Sequence, residues 1–155
     1  MKDNTIIDKI ARSIERPELG EGGIKALPFV YETLESQNIT LDTLNPPFCA
    51  AVPIESGAVQ DERGMYHDEI TMALFFGDLM CETMGDFDAR KNERIIDECK
   101  QRAFKWLASL QTNNEIMLVS VNGAAREYLR DDSVVTGYTL NVTLREVVAY
   151  GKCDL

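Results

Sequence analysis

The stretch from Val134 to Val148 constrains the fold more than any other part of the chain. Tyr138, Leu140, Val142 and Leu144 alternate with Thr139, Asn141, Thr143 and Arg145. Successive side chains of a strand point to opposite faces, so this is a strand with one apolar and one wetted side. A strand of that kind belongs to an antiparallel sheet whose apolar face needs a cover. Residues Ala89 to Leu110 supply one, because Ile95, Ile96, Cys99, Ala103, Phe104, Trp106, Leu107 and Leu110 recur there at helical spacing. Asp86 or Asp88 stands where this helix needs a cap.

The remaining elements fall around that pair. Ile6, Ile7, Ile10 and Ile14 form an apolar stripe in a helix from Thr5 to Arg16, with Asp8, Lys9 and Arg12 placed off the stripe. Asn4 or Thr5 caps this helix, Asp8 sits in its first turn and Pro17 stops it. Gly20, Gly22 and Gly23 make a flexible passage. Phe29 to Thr43 reads as a strand, although Glu32 to Gln37 also suits a helix. After the Asn45-Pro46-Pro47 break comes a short strand from Phe48 to Ile54, which Pro53 confines to a sheet edge or a strand end.

Glu55 to Tyr66 then reads as a polar loop, longer than a plain hairpin needs and therefore projecting. His67 to Gly77 is a strand with Ile70, Met72, Leu74 and Phe76 on one face. Ile116 to Val121 opens a terminal hairpin, either continuing through a bulge at Gly123 to Tyr128 or turning tightly at Asn122-Gly123. Asp131-Asp132 makes the turn into the last strand. The whole is a single α+β domain over residues 1–155: an antiparallel sheet covered by one long amphipathic helix, with a short N-terminal helix and a C-terminal β-hairpin. No repeated βαβ pattern points to a parallel sheet.

Charge narrows the function. A net charge of −10 with scattered basic residues speaks against nucleic acid, which draws its affinity from clustered Lys and Arg. No run is apolar enough for a signal peptide or a membrane span, so a cytoplasmic location is expected. Cys49, Cys81, Cys99 and Cys153 lack the close pairing of zinc or redox motifs and read as free buried thiols.

The search for catalytic chemistry returns no site. His67 is the lone histidine, and its neighbours Asp68 and Glu69 do not orient it, since adjacent strand residues point apart; it reads as an exposed polar residue. Asp78, Glu82, Asp86 and Asp88 are acidic, but they lack the spacing of an EF-hand loop and read as a helix N-terminus. Gly20-Glu21-Gly22-Gly23 lacks the Gly-Lys-Ser/Thr of a phosphate cradle and reads as a linker. No catalytic residue, cofactor or metal is expected.

The order of elements over residues 48 to 148, and the segment Val135-Thr136-Gly137-Tyr138-Thr139-Leu140-Asn141-Val142-Thr143-Leu144 in particular, resembles the tail-terminator and tail-completion proteins of long-tailed phages encoded in prophage-type clusters. The acidic entry Asp86-Phe87-Asp88 is compatible with that likeness. The resemblance implies a structural role without catalysis: a ring of self-associated copies that contacts a tail-tube protein, made in the cytoplasm of a bacterial host and incorporated into a virion or tail-like particle. In it, the projecting residues Glu55 to Tyr66 are the expected contact. A small-molecule or protein-binding module and an enzyme with a site near His67 stay open beside this reading, and a pocket converging on His67 and the acids is what distinguishes the enzyme.

Overall fold

The computed structural model describes residues 4–17, 25–31, 46–79, 82–83, 86–87, 89–128 and 135–151. The first helix, α1, runs Ile6–Glu15. Thr5 is its cap: the Thr5 hydroxyl accepts from the Asp8 amide at 3.1 Å while the Asp8 carboxylate accepts from the Thr5 amide at 2.9 Å, so two orphan amides are satisfied reciprocally.

The strands β1 (Phe29–Tyr31), β2 (Phe48–Gln60), β3 (Tyr66–Leu79), β6 (Ile116–Glu127) and β7 (Val135–Glu146) form one sheet in the order β1-β2-β3-β7-β6. Two short strands, β4 (Glu82–Thr83) and β5 (Asp86–Phe87), pair with each other, and α2 (Ala89–Ser109) follows them. Asp86 is therefore a strand residue rather than a helix cap; Asp88, the passage Gly20 to Gly23, the stretch 32–43 and the turn Asp131-Asp132 lie outside the described residues.

The sheet is mixed rather than purely antiparallel. β1 runs parallel to β2, with Phe29 opposite Cys49 and Tyr31 opposite Ala51, while every other pairing in the sheet is antiparallel. The chain between β1 and β2 is long enough for the crossover that parallel neighbours require. Both helices pack on one face. Ile6, Ile10 and Ile14 of α1 and Ile96, Cys99, Ala103 and Trp106 of α2 share the main core with Met72, Leu74, Phe76, Leu140, Val142 and Leu144. The Trp106 indole N–H donates to the Ser13 hydroxyl at 3.0 Å, which ties the two helices together.

Phe104 departs from expectation. It is 45% exposed and stacks edge-on against Tyr138 at 5.6 Å, because the face α2 turns to the sheet runs through Ala103 and Trp106 and leaves Phe104 at its margin. On the opposite face of the sheet Phe48, Ala50, Phe75 and Val135 make a smaller cluster. There Gly77 and Gly137 stand directly opposite each other. A Cβ on Gly137 would lie 2.1 Å from the Phe76 carbonyl oxygen, so this close passage of β7 past β3 requires glycine. β6 continues past Gly123 with bulges between Leu118 and Ser120 and between Val121 and Gly123, so the tight Asn122-Gly123 turn does not form.

Candidate interaction site: a latched hairpin arm

The polar residues from Glu55 to Tyr66 are not a loop. Glu55–Gln60 belong to β2 and Tyr66 begins β3, and their ladder runs to Gln60 opposite Tyr66. Only Asp61 to Met65 turn. Gly64 takes a φ of +80°, a conformation that favours glycine, and the Asp61 carboxylate caps the turn by accepting from the amides of Arg63 (2.8 Å) and Met65 (3.0 Å). β1 covers β2 only from Cys49 to Ala51, and the β2–β3 register shifts between Pro53 and Glu55. Pro53 thus lies beyond the β1 pairing that the described residues show, next to the shift in register, where a missing N–H is tolerated. Beyond it β2 is the outer strand of the hairpin among the described residues, with Ile54 58% exposed and Glu55 to Ala58 exposed as well, while β3 stays paired with β7 as far as Glu69; this hairpin end is the arm.

His67 holds the arm to the body. The sequence reads it as exposed, but it is 7% exposed and both ring nitrogens are engaged: Nδ1 lies 3.0 Å from the Glu146 carbonyl oxygen and Nε2 lies 2.8 Å from Asp61 Oδ2. One partner is a backbone carbonyl and the other a carboxylate, so the ring is held from both sides. The orienting acid is Asp61, on the far side of the turn, and not the adjacent Asp68. The His67 hydrogen bond, together with the Met65 and Arg63 amides, holds the Asp61 carboxyl down at about 2. A second support is the antiparallel bridge in which Tyr66 and Tyr150 exchange backbone hydrogen bonds at 2.8 Å each.

At the base of the arm Glu146 turns its side chain to the core and pairs with Lys9 of α1; the two side chains are 6% and 3% exposed. Beside them Arg12 grips Glu115 with hydrogen bonds of 3.2 and 2.6 Å. Lys9, Arg12, Glu115, Glu146, His67 and Asp61 thus link α1, the start of β6, the end of β7 and the arm into one polar network. Sequence reasoning placed Lys9 off the helical stripe. It lies three residues after Ile6 and four before Ser13, on the buried side of α1.

The other residues weighed for chemistry are dispersed. Glu69 binds Arg145 across the strands at 3.0 and 2.9 Å, and Asp78 binds Arg102 of α2 at 3.1 Å. The side chains of Glu82, Asp86 and Asp88 lie outside the described residues, and among the described residues no group of three or more His, Cys, Asp or Glu converges as metal ligands. Cys49 and Cys99 are free and buried; burial raises both thiols, Cys99 to about 12, which makes them poor nucleophiles. Cys81 and Cys153 lie outside the described residues. Among the described residues no helix is long and apolar enough to cross a membrane. No family model matches the chain, and no curated protein matches it.

The latch carries its own prediction. Because the folded value of Asp61 is depressed to about 2, its stabilising contribution is present above the unfolded value of roughly 4 and is lost as pH falls through about 2. The melting temperature of the wild-type chain should therefore fall more steeply between these pH values than that of Asp61→Asn. Parallel acid limbs in thermal melts of the two proteins would show that the carboxylate does not hold the turn.

Proposed function

We propose that this chain is a non-enzymatic assembly protein of the tail-terminator or tail-completion kind, which associates into a ring at the end of a tail tube and contacts the tube protein. Its place is the cytoplasm of a bacterial host and then the assembled particle. The observation that carries the reading is the arm: an exposed hairpin, held in strand geometry by its ladder, its turn and its latch. Ordering a mobile loop on contact costs backbone and side-chain entropy. A hairpin already ordered avoids most of that cost, which suits an element whose work is contact geometry. The imidazole fits this role better than a catalytic one, since a general base or acid needs a ring nitrogen facing its substrate and both are turned inward here.

The test is assembly with a tail-tube protein, to be sought among the products of the neighbouring genes. Intact protein should cap purified tubes, and a chain with Val59 to Met65 replaced by Gly and Ser should cap them at least tenfold less well at equal concentration, about 1.4 kcal/mol of contact free energy. Equal capping by both would deny the arm a role. If neither chain binds tubes, the tail-terminator reading falls.

A further inference from the structure

Among the described residues two strand edges of this sheet have no strand partner, and they lie at its two sides. The first is the outer edge of β6, whose hydrogen-bonding partner among the described residues is β7 alone. Met117, Val119 and Val121 along it are 38%, 43% and 46% exposed. The second is the outer edge of β2 in the arm, beyond the last β1 pairing at Ala51. Natural sheets usually protect such edges with charged residues or proline. In a chain that is 27% charged, no charge or proline occurs from Ile116 through Ala125, and none from Ser56 through Gln60. Two bulges in β6 bend the edge and favour a short partner strand over a long one.

We propose that the arm edge of β2, Glu55 to Gln60, adds as a strand to the β6 edge of a second copy of this chain. The occupant follows from charge and from topology. Two copies at −10 each repel over most of their surfaces, and the uncharged runs on the two edges are where their backbones approach at least cost. Ser56, Gly57 and Ala58 are exposed and small, so a neighbouring backbone reaches strand spacing without meeting bulk. The edges face opposite sides of the sheet: β6 ends the order β1-β2-β3-β7-β6, and β2 is the outermost described strand beyond the β1 pairing at Ala51. Each pairing therefore leaves one arm and one β6 edge free, the head-to-tail geometry that closes into rings. This contact rests on the assembly reading above and specifies the surface that receives the arm.

The experiment is sedimentation equilibrium on four samples: wild type, an arm variant (Ser56→Lys with Ala58→Lys), an edge variant (Val119→Lys with Val121→Lys), and an equimolar mixture of the two variants. Lysine lowers the net negative charge, so weaker association cannot come from greater repulsion. Wild type should associate beyond the dimer with a Kd of about 1 mM or tighter. Each variant alone should stay monomeric, and the mixture, which has one live arm and one live β6 edge per pair, should stop at a dimer. Continued self-association of the arm variant would mean that β6 pairs with itself and would overturn the proposal. A mixture that stays monomeric while wild type associates, or a wild type that is monomeric at about 1 mM, would overturn it as well. Should either lysine pair prevent folding, Ala58→Lys and Val121→Lys alone carry the same test. None of these failures removes the assembly reading, which falls only if intact protein does not bind tubes.

Discussion

Replacing Lys9 with methionine should lower the unfolding free energy by about 3–5 kcal/mol, the cost of leaving one member of a buried ion pair without its partner. The Glu146 side chain is 6% exposed and has Lys9 as its counter-charge. Without the ammonium it must either stay charged in a poorly solvated site or draw water into the junction of α1, β6 and β7. The double variant Lys9→Met with Glu146→Leu should recover most of the loss, because a well-packed apolar pair often equals a buried ion pair in stability. Urea titration of both variants measures the effect. A Lys9→Met loss below about 1 kcal/mol would mean that the site is already wet.

Truncating Leu140 to alanine should cost about 2–5 kcal/mol. Leu140 is fully buried on β7, opposite Leu74 of β3 and Ala124 of β6, in the core that both helices cover. With strands on both sides and helices above, the site has little freedom to collapse on the cavity, which places the loss toward the upper part of that range. Denaturant titration checks this, and a loss below about 1 kcal/mol would show that Leu140 does not face the core.

The core was legible because its residues obey simple periods. Leu140, Val142 and Leu144 alternate, Ile96, Cys99, Ala103 and Trp106 follow a helical stripe, and Thr5 is one of the two cap candidates that stand before α1. The site was harder to read because its residues keep those periods but carry charge. Lys9 continues the stripe of α1 and Glu146 continues the alternation of β7, yet each is charged and so reads as solvent-facing. They make sense only as partners, and 137 positions separate them. The arm was read as a loop because both faces of Glu55 to Gln60 are exposed, and a strand with no buried face shows no alternation. His67 was misplaced for a related reason: its acid lies six residues upstream and reaches it only once the Asp61 turn has folded. The parallel pairing of β1 with β2 leaves no mark on three residues, since Phe29–Tyr31 would read the same in either direction.

The account depends most on the arm being an ordered hairpin with one open edge before it meets a partner. Amide hydrogen exchange measured residue by residue on the chain, dilute enough to be monomeric, tests this directly. In an antiparallel edge strand every second amide points inward to its neighbour and the others point to solvent. Protection along Glu55 to Gln60 should therefore alternate, with the inward amides slowed by the β3 ladder and the outward ones exchanging freely. Uniformly fast exchange from Ile54 to Met65 would contradict the account, because it would make the arm a mobile loop with no preformed edge to offer.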